Sequence, residues 1–232
     1  MTKTSAVPML ALGLALGVAL TACKKPEAPP AAAEASAAAE AAAAPATDVP
    51  AAAPSAAPAA PAAVAFDINA IPVSDKPLPA WPYVALPAGY QFYYADDLAS
   101  RSKDLARVPV WTGGQLLWVE GKVFSDAIDN ADGKTYSKFE VRKNVQQAIE
   151  ALGGVRLTER SFDEATYKAN EKAVSDFNQE FSRMQSAYWY DSDADTYLIR
   201  RADKAIWVVF QSGNDRGAMM VAEGPLPATP AK

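Results

Sequence analysis

Two groups of aspartates, one glutamate in an apolar strand and a set of aromatic rings have the types and spacing that could carry chemistry. Asp191, Asp193 and Asp195 alternate, as carboxylates around a cation do. A calcium loop of the EF-hand kind then needs Gly at its sixth position and Glu at its twelfth. The chain has Thr196 and Ala202 there. The stretch reads as a hydrated acidic turn ahead of a strand, and whether it takes a cation stays open. Asp126, Asp129 and Asp132 form a second acidic group with the same reading. Glu120 stands in an apolar strand with Lys122 on the same face. A carboxylate so placed could have a raised pKa and work as an acid or base. With no second carboxylate placed beside it, a structural ion pair is favoured. Trp81, Trp111, Trp118, Trp189 and Trp207 join Tyr188, Tyr190 and the run Tyr90-Gln91-Phe92-Tyr93-Tyr94. Exposed, these rings could form a glycan platform with nearby carboxylates. Filling a small sheet–helix core explains the same residues more simply.

What is missing narrows the chemistry further. The 232 residues contain no histidine and a single cysteine, Cys23. Serine–histidine and cysteine–histidine catalysis, histidine metal ligation and internal disulfides are therefore excluded by inventory. A formal charge of −5 argues against nucleic acid and against a polybasic membrane patch. No catalytic, cofactor-binding or metal-ligating residue is assigned, and no cofactor is expected.

Cys23 is the one residue assigned a role. Lys3 provides a positive start, and an apolar run of about twelve residues from Met9 to Leu20 suits a signal sequence. That run is short for a membrane span. The residues Leu20-Thr21-Ala22-Cys23 resemble the bacterial lipobox. The resemblance implies cleavage ahead of Cys23, diacylglycerol on its sulfur, and a fatty acyl group such as palmitate on the new amino terminus. Residues 1–22 are then a lipoprotein signal peptide and Cys23 the lipid attachment site. Several acyl chains exceed what stable anchoring needs. Lys24 stands where an aspartate would resemble an inner-membrane retention signal, so the resemblance implies the outer membrane.

The elements behind these residues are legible from pattern. Residues 24–65 are almost all Ala and Pro, with nothing large enough to repay the entropy of folding. Residues 23–65 are therefore expected to be the lipidated cysteine and a disordered linker of roughly 35–40 Å as a coil. Residues 66–224 are the expected globular domain, and 225–232 a frayed tail. Within the domain, the Pro- and aromatic-rich stretch 66–110 reads as extended chain wrapping a core, with short strands at 83–86 and 90–94. A strand apolar on both faces is expected at 115–124, then a turn at 129–133. Ser137 with Glu140 forms a capping box for a helix that Gly153-Gly154 ends. After a strand at 155–158, a second box, Ser161 with Glu164, opens a helix to about Tyr188. The stripe Val174, Phe177, Phe181, Met184 and Tyr188 could seat a partner helix, though packing on the domain's own sheet is favoured. Strands at 196–201, 205–211 and 218–222 close the domain. The order predicts an α+β fold, a mainly antiparallel sheet with two helices packed on one face.

Several segments carry a further likeness: Phe66-Asp67-Ile68, Ile71-Pro72-Val73-Ser74, Pro82-Tyr83 and Leu86-Pro87-Ala88-Gly89-Tyr90 in the leading stretch. Val119-Glu120-Gly121-Lys122-Val123, the segment Glu140 to Gly154, and Tyr197-Leu198-Ile199-Arg200-Arg201 with Ile206-Trp207-Val208 follow. Together they resemble the N-terminal region of a group of OmpA-family envelope proteins. The likeness implies an envelope protein, without the C-terminal peptidoglycan-binding domain of those relatives and with no functional residue to carry over. The leading expectation is a non-enzymatic lipoprotein of the outer membrane. A periplasmic domain would recognise an envelope protein or peptidoglycan, the membrane being reached through the lipid. The alternative is a carboxylate-dependent hydrolase of cell-wall glycan, which needs two acids facing each other across a cleft. A passive spacer is the third reading.

Overall fold

The structure is a computed structural model and describes residues 65–228. Cys23, the signal segment and nearly all of the Ala/Pro-rich stretch lie outside the described residues, as do residues 229–232. Among the described residues, seven strands form one antiparallel sheet. They are β1 (Tyr90–Phe92), β2 (Ser102–Trp111), β3 (Leu116–Asn130), β4 (Val155–Thr158), β5 (Ala194–Arg200), β6 (Ala205–Ser212) and β7 (Gly217–Gly224). The order across the sheet is β1-β3-β7-β6-β5-β4, with β2 also paired to β3. Two helices, α1 (Lys138–Ala151) and α2 (Glu164–Glu180), complete an α+β domain. No helix among the described residues is long and apolar enough to cross a membrane.

The helices do not share a face. Successive strand residues point to opposite sides, and in β5, β6 and β7 both sets are apolar and buried. Ile206, Val208 and Phe210 pack with Tyr197, Ile199, Met219 and Val221 against Val141, Val145 and Ile149 of α1. Trp207 and Val209 pack with Leu198, Met220 and Ala222 against Val174 and Phe177 of α2. The expectation of both helices on one face is thus corrected. A sheet apolar on both sides needs a cover on each.

Helix α1 begins where expected: Ser137 accepts from the Glu140 N–H at 3.3 Å. It ends as Gly153 N–H donates to Glu150 and Gly154 N–H to Ile149, the bonds that a glycine beyond the last turn allows. Gly153 has φ +80, and a Cβ there would run into Ser74. Helix α2 starts two residues later than the second box implies. Its cap is Asp163, which accepts from Thr166 N–H at 2.7 Å. Ser161 instead accepts from Ser192 N–H at 3.0 Å and donates to the Trp189 carbonyl. The helix also stops early: from Ser182–Tyr188 the chain tightens into a 3-10 turn that carries Met184, Ala187 and Tyr188 into the core.

The sequence of β2 reads only as extended chain. Its outward residues Lys103, Asp104 and Arg107 and its Pro109 hide it, yet it pairs from Ser102 to Trp111 along β3. Proline is tolerated there because β2 pairs only with β3 and is an edge. Strand β3 runs six residues past its expected end, through Asn130. No strand forms at 83–86, where Val84 instead packs into the α1-side core. The leading segment does wrap the domain. Ile68 and Ile71 join the α2-side core, while Arg200 Nη1 holds both their carbonyls at 3.0 and 2.9 Å. At the other end Leu226 packs, partly buried, against the same core.

Candidate functional site

The acidic groups singled out above are each dispersed among different partners. Asp195 lies on β5 with its side chain 2% exposed, facing α1. Arg142 reaches down from that helix and donates to both its oxygens at 2.8 Å, with Arg156 at 3.9 Å. Burial pushes the Asp195 carboxyl up, and the two guanidiniums pull against it. Asp193 instead accepts from Lys138 at 2.9 Å, and that ammonium holds its carboxyl below the usual range. Asp191, at φ +54, uses its backbone: its N–H donates to Phe162 and its carbonyl accepts from Arg160. The alternation that suggests a calcium loop therefore sends three residues to three different cations.

Asp126 is fully buried in β3 and accepts from the Tyr94 N–H at 2.8 Å, with Arg101 at 3.8 Å. Asp132 lies exposed in the following turn. Glu120 is exposed and pairs with Arg107, its direct neighbour across β2 and β3, at 3.6 Å. Lys122 is not its partner. The Lys122 ammonium instead sits 4.8 Å from the Trp81 ring, a favourable cation–aromatic placement. Two acids, Asp176 and Glu180, line one shallow pocket on α2. Each is bound to a lysine, Lys172 at 2.7 Å and Lys103 at 2.6 Å.

The aromatic set divides between core and surface. Trp207 is fully buried on the α2 side of the sheet, with Phe66 5.7 Å away, while Trp189 is 55% exposed. Trp189 ends a row of rings that climbs out of the core. Phe162 stacks on Tyr167 at 6.2 Å and 21°, Tyr167 meets Trp189 at 5.4 Å, and Trp189 stacks on Tyr190 at 5.1 Å and 29°. Ser161, bound to the Trp189 carbonyl, fixes the backbone from which the indole projects.

Beside this indole is a cleft of about 170 Å³ between α2 and the 3-10 turn. Tyr167 and Trp189 supply its rings, and Ser175, Asn178, Gln179 and Gln185 its polar groups. Asn178 Oδ1 is buried and has no hydrogen-bond partner. The four polar residues were not singled out in the sequence. Ser175, Asn178 and Gln179 recur at i, i+3 and i+4 on α2, a spacing that marks one helix face, and this was the available signal. A larger apolar hollow of about 420 Å³ lies between Trp118, Trp207 and Leu226. Known protein families and curated proteins were compared with the chain, and none matches it.

Proposed function

We propose that the chain is an outer-membrane lipoprotein, anchored through Cys23, whose periplasmic domain recognises an envelope component without chemically changing it. The observation that carries this reading is the sole cysteine closing Leu20-Thr21-Ala22-Cys23 behind an apolar run. A thiol is the nucleophile lipid transfer requires, and no other thiol is available in the chain. The acids support the second half of the proposal. Asp195, Asp193, Glu120, Asp176 and Glu180 are each engaged by a lysine or arginine of the same domain. A glycosidase instead needs one carboxyl held protonated and another free across the bond to be cut. The exposed Trp189, with half-buried Tyr167 and Tyr190 beside it, offers the kind of surface that binding uses.

Intact-mass analysis of the mature protein tests the anchor. The expected product begins at Cys23 and carries a diacylglyceryl and an amide-linked acyl group, while Cys23→Ser is neither acylated nor membrane-associated. An unmodified thiol, or a serine variant that still sediments with membranes, overturns the anchor. Recognition is tested by crosslinking in intact cells, where the wild-type chain should capture an envelope component above background. Capture of nothing overturns it.

A further inference from the structure

We infer that the cleft between α2 and the Ser182–Tyr188 turn is a binding subsite for one neutral sugar ring, with Trp189 as its stacking platform. The inference rests on the recognition reading and names the chemistry recognised.

Four observations converge on it. Trp189 keeps more than half its surface open although neighbouring rings fix its position. The face of an aromatic ring is electron-rich, and it attracts the weakly positive C–H bonds on the apolar face of a pyranose. The lining supplies a hydroxyl and three carboxamides beside the two aromatic residues, with no charged side chain. Each carboxamide both donates and accepts, which matches sugar hydroxyls that do the same. A phosphate or carboxylate would find no cation there. The cleft, at about 170 Å³, is smaller than the ~300 Å³ and above of drug-sized sites, which suits a single ring.

Asn178 is the fourth. Its Oδ1 is shut off from water with no donor in reach, and leaving a buried acceptor unanswered is costly. A modest turn of the carboxamide brings that oxygen to a hydroxyl or acetamido N–H entering the cleft. The support behind the cleft is already rigid, since Ser161 and Ser192 tie the Trp189 backbone to the start of α2.

Two sources of such a ring are distinguished by the probes. The full mature chain is labelled with 5-fluorotryptophan in a detergent without a sugar headgroup and titrated with the trimer of N-acetylglucosamine or of glucose. The Trp189 resonance, assigned with Trp189→Phe, should shift saturably with at least one trimer. Response to the N-acetylated trimer alone assigns wall glycan, and response to the glucose trimer assigns a broader hexose site. In calorimetry, Trp189→Ala and the exposed Gln185→Ala should each weaken binding about tenfold, the loss of one good contact. Both variants should remain folded at the titration temperature, as circular dichroism reads, with Trp189→Ala losing a few degrees of melting temperature for its ring contacts.

No shift with either trimer up to about 10 mM, weaker than any useful affinity, overturns the inference. So does unchanged affinity in both variants. If crosslinking still captures a protein partner, the subsite alone has failed and the recognition reading stands.

Discussion

Replacing Tyr90 by phenylalanine should destabilise the domain although the aromatic ring stays in place. The first turn of α1 is closed by a relay. Ser137 accepts from Glu140 N–H as a capping box requires, but the return bond passes through a third residue. Ser137 N–H donates to the Tyr90 hydroxyl at 3.1 Å, and that hydroxyl donates to Glu140 Oε2 at 3.0 Å. Tyr90 is only 6% exposed, so water does not readily take the place of its oxygen. Leaving a partly buried N–H unanswered costs about 1–3 kcal/mol, or roughly 2–4 °C of Tm per kcal/mol at this size. Urea unfolding followed by circular dichroism at neutral pH measures it.

The pH dependence has a defined sign. Lys134 first, and Tyr90 second, hold the folded Glu140 carboxyl below its ordinary value. Its contribution is therefore present above the unfolded carboxylate range and lost as the pH falls through the folded value. Tyr90→Phe removes the second of these partners, so the acid limb should move to higher pH. The penalty of the substitution should also be smaller once Glu140 is protonated. Glu140→Gln should give less than additive loss when combined with Tyr90→Phe, because the two groups share one bond. A Tyr90→Phe variant within about 0.3 kcal/mol of wild type, or strictly additive losses, refutes the relay.

Three further substitutions test the fold at other points. Arg142→Leu leaves Asp195, 2% exposed, with only Arg156 at 3.9 Å, and should cost about 3 kcal/mol in urea unfolding. Lys138→Ala breaks an exposed pair with Asp193 and should cost under about 1 kcal/mol. Tyr188→Phe orphans the Pro109 carbonyl, which the hydroxyl holds at 2.5 Å, and should cost about 1 kcal/mol at neutral pH. Burial holds the folded Tyr188 hydroxyl well above its ordinary value, so wild-type stability falls as the pH rises past the unfolded value near 10. In alkaline unfolding the variant should therefore close the gap with wild type.

The sequence makes some elements plain and hides others for identifiable reasons. Strands β5, β6 and β7 are visible because their apolar residues are continuous, and α1 because Ser137 and the glycine pair punctuate it. Strand β2 is hidden by the outward charges and proline that an unpaired edge needs to resist further pairing. The start of α2 is ambiguous because Ser161 and Asp163 are both capping types, and their tertiary partners decide between them. Ser161 is taken by Ser192 and Trp189, whose loop is distant in sequence. The cleft is hidden for a related reason. Asn178 and Gln185 are ordinary polar residues until the break in the helix at Phe181 folds the turn back beside Tyr167.

The placement of the helices follows from an argument already contained in the strands. Strands β3, β7, β6, β5 and β4 alternate in direction, so β3 and β4 run parallel, and the segment holding α1 must cross β7, β6 and β5 to connect them. In doing so it covers Ile206, Val208 and Phe210. The opposite side, with Trp207 and Val209, would then face water over three strands, an arrangement a sheet apolar on both sides does not tolerate. The β4–β5 connection is long enough to reach back over that side, and α2 fills it only in part. Its buried stripe, Val174 and Phe177, is short, so the chain bends after Phe181 and spends Met184, Ala187 and Tyr188 on the remaining surface. Burying Tyr188 inward turns Trp189 outward at the end of the same turn. The exposed indole is thus a geometric consequence of covering the second face with a helix too short for it.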